Sequence, residues 1–129
     1  MAPSTINVIG FDHLVLNCAD VETTLRWYID ELGLAPVRVE EWRQGTAPFP
    51  SIRVNDTTII DLIAGDTSSG RLDHICLVIS PTSLDEVKAS GRFTVLEGPA
   101  TRFGAQGNGT SLYISDPDGT TVELRHYPD

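Results

Sequence analysis

The chain has 129 residues, enough for one domain with a hydrophobic core of its own. Its 40% hydrophobic and 21% charged content is that of a folded globular protein, not a disordered one. Nine Lys and Arg against 18 Asp and Glu give a formal net charge of −9, which repels nucleic acid and anionic membrane surfaces and argues against both as partners.

The N-terminal MAPSTINVIG has no basic n-region and no sustained apolar run, so no export signal is expected. No stretch reaches the length of a transmembrane span. With Cys18 and Cys76 read as reduced thiols, this predicts a cytoplasmic protein. FDHLVL (11–16) reads as the first strand. Asp20 then caps a helix whose apolar face is Leu25, Tyr28, Ile29 and Leu32, and Gly33 stops it. Three strand-like runs follow at 35–42, 51–54 and 58–63.

After a short Gly/Ser/Asp-rich joint (AGDTSSG, 64–70), the opening strand returns as LDHICL (72–77). The copies match at Asp12/Asp73, His13/His74 and Leu16/Leu77. Ser83 and Glu86 have capping-box spacing for a second helix, with Leu84 and Val87 turned inward and Gly91 as its stop. Further strands are predicted at 93–96, 111–115 and 120–127. Between them TRFGAQGNG (101–109), with three glycines, reads as a mobile loop that carries Arg102 close to a ligand. DPDG (116–119) reads as a plain turn.

Strand–helix–strand–strand–strand therefore occurs twice. NDTTIIDL (55–62) lies over PDGTTVEL (117–124), which sets Asp61 opposite Glu123. Each half carries a histidine on its first strand and a carboxylate on its last, at nearly equal separations. The predicted fold is α+β: a single domain of two tandem βαβββ modules, about 8–63 and about 70–127, forming a cupped mixed sheet.

Alternation along the strands assigns the faces. Leu14 and Leu16, like Ile75, Leu77 and Ile79, suit packing under a helix, as do Ile60, Leu62, Val122 and Leu124. His13, His74, Asp61, Glu123 and Arg125 take the other side, with Arg38, Glu40, Trp42, Arg53, Ser111 and Tyr113. A lone Asp-His strand usually holds a satisfied structural histidine; the duplicated His/carboxylate placement favours metal ligation. Two imidazoles and two carboxylates suit Zn, Ni, Co, Mn or Fe, and the absence of thiolates argues against a purely structural zinc site. Such an ion acts as a Lewis acid on a carbonyl, enediol or alkoxide. Glu123, with the longer and more mobile side chain, is the better general base. If Asp61 falls short, His13, His74 and Glu123 form the two-histidine, one-carboxylate set used for O₂ chemistry at Fe²⁺. Trp42, Arg53, Arg102 and Tyr113 are the substrate-binding candidates. Cys76 reads as a small lining residue and His126, on the opposite face of its strand from Glu123, as structural or solvent-facing.

FDHLVL with its helix ending in LGL, LDHICLVI, and GTSLYISDPDGTTVELRHY resemble the vicinal oxygen chelate superfamily, the glyoxalase/bleomycin-resistance/extradiol-dioxygenase proteins. The match runs from about residue 8 to 127. The resemblance implies paired βαβββ modules forming a cup, a divalent ion at His13, Asp61, His74 and Glu123, a small-molecule substrate and a homodimer. Superfamily membership does not fix the reaction; the expected function is a metal-dependent lyase or isomerase acting on a small oxygenated metabolite. The alternatives are a metal-free drug- or natural-product-binding protein, which the bleomycin-type relatives exemplify, and an Fe(II) extradiol-type dioxygenase. In glyoxalase I the position of Asp61 is normally glutamate, and in fosfomycin-modifying relatives Tyr113 matches a substrate-contacting tyrosine.

Overall fold

The computed structural model describes residues 6–68 and 70–128. Residues 1–5, read above as part of a terminus without export signal, lie outside the described residues, as do residue 69 of the predicted joint and residue 129. The elements in chain order are β1 (Val8–Cys18), α1 (Val21–Asp30), β2 (Ala35–Val37), α2 (Val39–Arg43), β3 (Ser51–Asn55), β4 (Thr58–Ala64), β5 (Leu72–Ile79), α3 (Leu84–Ala89), β6 (Thr94–Gly104), β7 (Gly107–Ser115) and β8 (Thr121–His126). The fold is α+β with eight strands of mixed direction, and the strand–helix–strand–strand–strand order recurs with α2 as an insertion. Among the described residues no helix is long and apolar enough to cross a membrane.

Two compact units emerge, one of residues 13–73 and the other of residues up to 12 together with 74 onward, so that β1 is divided between them. In the 13–73 unit the strand order is β2-β3-β4-β1, with β1 parallel to β4 and the other pairs antiparallel. Helix α1 covers one face: Val21 and Leu25 pack with Cys18, Val39, Ile52 and Leu62, and Leu16, Tyr28, Ile29 and Ile60 close around them. The Asp20 carboxylate accepts from the Thr23 N–H at 3.1 Å, so α1 begins where the capping signal places it. At the other end Gly33 has φ 71° and its N–H bonds the Ile29 carbonyl at 3.0 Å, a left-handed glycine stop. Leu32 lies past the helix and is exposed. Asp20→Ala removes the cap and is expected to cost about 1 kcal/mol, read as a lower midpoint in urea unfolding; an unchanged midpoint would show that the helix start is held by packing alone.

In the other unit the order is β5-β8-β7-β6, again with one parallel pair, β5 with β8. Leu84 and Val87 of α3 pack on Ile79, Leu112, Ile114 and Leu124, and Ile6, Leu77 and Val122 join them. Ser83 caps α3 through the Glu86 N–H at 3.2 Å, and Gly91 (φ 70°) follows it. Of the helix-facing set read from the sequence, Leu16, Ile60 and Leu62 lie in the α1 core and Leu77, Ile79, Val122 and Leu124 in the α3 core.

Two segments differ from their sequence reading. The strand predicted over 35–42 ends at Val37. Arg38 adopts a left-handed φ of 57°, which turns the chain out of the ladder, and the following VEEWR winds into α2. Glu40, Glu41 and Arg43 are good helix formers, and Arg43 secures the short helix to α1 through Glu22 at 2.6 Å and to Glu40 at 2.9 Å. The strand-face assignment of Trp42 therefore falls away: its ring packs against the α1-side core with Val39 and Leu25. The second difference is the predicted mobile loop at 101–109. Strand β6 runs through to Gly104 and pairs with β7 as a hairpin, with Gly104 opposite Gly107. Gly98-Pro99, a cis peptide, is accommodated inside β6 where the register shifts between Glu97 and Ala100.

Candidate metal centre

Each unit brings one histidine and one carboxylate together by the same strand geometry. In the 13–73 unit, parallel pairing sets Val15 of β1 beside Asp61 of β4, and His13 projects from the same face two residues earlier. In the other, Cys76 of β5 is set beside Glu123 of β8, and His74 again stands two residues earlier. The matched register is the physical form of the sequence repeat. His13 Nε2 lies 3.6 Å from Asp61 Oδ2, and His74 Nε2 lies 3.0 Å from Glu123 Oε1.

The remaining oxygen of each carboxylate is tied back. Ser51 stands directly across from Asp61 on β3, and its hydroxyl donates to Oδ1 at 2.5 Å. Ser111 of β7 donates to Glu123 Oε2 at 2.7 Å, and Arg125 Nη2 reaches the same oxygen at 3.1 Å. Both carboxylates therefore present one oxygen toward an imidazole nitrogen and anchor the other to a strand side chain. The anchoring sits where water is excluded: Asp61 and His13 are 2% exposed and Glu123 1%. Hydrogen-bonded partners of this kind orient metal ligands in proteins that bind divalent ions. They were not read from the sequence as partners, and spacing does not reveal them: Ser51 precedes Asp61 by 10 residues and stands directly across from it, whereas Ser111 precedes Glu123 by 12 and Tyr113 is the residue directly across.

The His74 half-site has further neighbours. The Tyr113 ring stands edge-on to His74 at 5.5 Å, and the Arg102 guanidinium lies over Tyr113 at 5.9 Å while pairing with Glu97 at 2.7 Å. Burial and the nearby Glu123 carboxylate push the Tyr113 phenol well above its ordinary pKa, so it is protonated at neutral pH. Burial opposes the charge of Arg125, but Cys76, Glu123 and the Tyr127 hydroxyl outweigh it and hold the guanidinium protonated.

Of the predicted site residues, His13 and Asp61 meet in one unit and His74, Glu123, Tyr113 and Arg102 in the other. Arg53 lies on the half-site face of β3, but its guanidinium donates to the Asn55 and Asp56 carbonyls of the β3–β4 turn, at 3.0 and 3.4 Å. Trp42 is on the helix side. A cavity of about 640 Å³ in the 13–73 unit, lined by Arg26, Pro36, Arg38 and Arg43 among others, has neither His13 nor Asp61 in its walls.

The donor set fits a divalent transition ion. Ligand atoms about 2.0–2.2 Å from one ion lie roughly 3.0–3.4 Å apart when they are neighbours in its coordination shell. The 3.0 Å separation of His74 Nε2 and Glu123 Oε1 is of that size, and the 3.6 Å of His13 and Asp61 is slightly longer. Imidazole nitrogen with carboxylate oxygen is the donor chemistry of Zn, Ni, Co, Mn and Fe rather than of Ca²⁺.

A search of family models finds no match. The chain is 33% identical over 121 residues to the virulence protein STM3117 of Salmonella typhimurium, covering 90% of this chain and 83% of that one. It is 32% identical over 129 residues to the glyoxalase domain-containing protein RDO1 of Mycosarcoma maydis, covering 96% of this chain and 72% of the relative. Among solved structures, methylmalonyl-CoA epimerase of Mycobacterium tuberculosis superposes with a TM-score of 0.65 at 18% identity, over 99% of this chain and 94% of the epimerase, a likeness of fold. With a duplicated strand–helix–strand–strand–strand order, histidine and carboxylate at matched registers and a glyoxalase-domain relative along nearly its whole length, the chain belongs to the vicinal oxygen chelate superfamily.

Proposed function

We propose that the protein is a divalent-metal-dependent enzyme of lyase or isomerase type acting on a small oxygenated metabolite, with His13, Asp61, His74 and Glu123 as ligands. The observation that carries the reading is the repeated tie-back: in each half-site a buried serine holds one carboxylate oxygen while the other faces a histidine Nε2. A merely structural histidine in a sheet has no need of the same device built twice. Bound there, the ion would supply Lewis acidity toward vicinal oxygens of a substrate. Glu123 Oε1 is the protein atom best set to hold or move a proton, because Oε2 is occupied by Ser111 and Arg125. Tyr113 offers a neutral phenol beside His74, and Arg102 a cation for an anionic substituent. The two buried thiols suit a reducing compartment such as the cytoplasm, and a homodimer is the assembly the superfamily implies.

Elemental analysis of untagged protein, purified anaerobically without chelators, tests this reading. Near-stoichiometric Zn, Ni, Co, Mn or Fe is the expected result, and its identity separates lyase or isomerase chemistry from O₂ chemistry. Protein that carries none of these ions and takes none up on titration would refute the reading and leave the metal-free ligand-binding alternative.

A further inference from the structure

A metal ligand set does not by itself call for a guanidinium buried completely behind one of its carboxylates, yet Arg125 is 0% exposed. Its Nη2 donates to the Arg102 and Phe103 carbonyls, both at 3.1 Å, as well as to Glu123 Oε2. Its Nη1 donates to the Tyr127 hydroxyl oxygen at 2.9 Å and reaches the Gly107 carbonyl at 3.4 Å. The Tyr127 hydroxyl donates in turn to Asp12 Oδ1 and accepts from the Gln106 N–H at 3.2 Å. Asp12 Oδ2 accepts from the Ala105 N–H at 2.9 Å. Gly104 leaves open the space the guanidinium occupies, for a Cβ there would stand 1.8 Å from Nη1.

An arginine that only closed the β6–β7 hairpin would be served by the carbonyls and Tyr127. Here one further bond goes to the oxygen of Glu123 that His74 does not meet. Among the described residues Arg125 Nε is buried without a hydrogen-bond partner, so the contacts of the two Nη atoms alone offset the cost of desolvating the guanidinium, and the charge-assisted bond to Glu123 restrains its geometry. We infer that Arg125 is a positioning residue: together with Ser111 it fixes rotation of the Glu123 carboxyl so that Oε1 alone is offered at His74 Nε2, and the Tyr127–Asp12 pair fixes Arg125. Glu123 then presents a single oxygen, Oε1, in a set orientation to an ion or a proton. The site so built discriminates against Ca²⁺, which commonly takes both oxygens of a carboxylate, in favour of smaller ions content with one. The metal half of this inference rests on the function proposed above.

The test uses the full chain as Arg125→Met, Arg125→Lys and Tyr127→Phe, each compared with wild type by the metal-free crystal structure and by Zn²⁺ titration against a chromogenic chelator. In Arg125→Met the Glu123 carboxyl is expected to rotate and its contact with His74 to open beyond about 3.5 Å, the limit of a hydrogen bond. Zn²⁺ affinity is expected to fall about 10–100-fold, the range typical for loss of a hydrogen-bonding partner of a ligand. Arg125→Lys, which keeps the charge and one donor, recovers part of that loss; a role confined to hairpin stability would lower the unfolding midpoint and leave affinity and carboxyl orientation alone. An unmoved carboxyl in folded Arg125→Met overturns the inference whatever the affinity. Should that variant not fold, Tyr127→Phe decides, with a several-fold weaker Zn²⁺ affinity expected and an unchanged one overturning it. A rotated carboxyl in a protein whose wild type takes up no Zn²⁺ retains the positioning role and refutes the metal reading instead.

Discussion

With the ligand set proposed above, His74→Ala is expected to fold normally and to bind Zn²⁺ more than 100-fold more weakly than wild type, since losing a ligand costs more than the ~10–100-fold of losing a ligand's partner. Of the two histidines this is the cleaner probe. The His74 side chain is 13% exposed, so its removal leaves little void, whereas His13 is 2% exposed and its loss opens a cavity in a packed face. Glu123 also remains well compensated without its imidazole, because Ser111 and Arg125 still hold Oε2. Circular dichroism and a chelator-competition titration on the same sample separate folding from binding. A His74→Ala protein with wild-type affinity would remove His74 from the ligand set.

Gly104→Ala is expected to destabilise the protein by about 3–5 kcal/mol, the range for breaking a buried ion pair, and to lower the urea midpoint accordingly. The added methyl would stand 1.8 Å from Arg125 Nη1, 2.5 Å from its Cζ and 2.6 Å from the Tyr127 hydroxyl. A flexible arginine on a surface would move aside. This one is fully buried and bonded to Glu123, Tyr127 and the carbonyls of the hairpin, so relief of the clash breaks charge-assisted bonds with no water to replace them. A midpoint within the error of wild type would show that the guanidinium has a second berth.

Much of the molecule follows from local chemistry and is legible in the amino-acid order. Asp20, Ser83, Gly33 and Gly91 mark helix ends because a cap or a left-handed stop depends on residues within one turn. The apolar alternation around His13 and His74 assigns their face because a strand has period two. The duplication of FDHLVL as LDHICL, with Asp61 over Glu123, nominates both half-sites because repeated modules repeat their registers.

What the sequence left open depends on partners far along the chain or on a single dihedral. Trp42 continues a strand-like run, and only the φ of 57° at Arg38 and the pairing of Arg43 with Glu22 turn that run into a helix facing the core. The glycines of 101–109 read as a loop, but the ladder with β7 supplies their backbone partners and makes them strand. Asp12 looks like one half of a repeated Asp-His pair; its bond to Tyr127 spans 115 residues, and Asp73, its counterpart, is exposed. The sequence by itself determined the modules, the caps and the residue types available to a metal. Tertiary structure alone decided which oxygen of each carboxylate is held and which is offered, because that choice is made by Ser51, Ser111 and Arg125 across strand pairs, where cross-strand register and burial set the geometry.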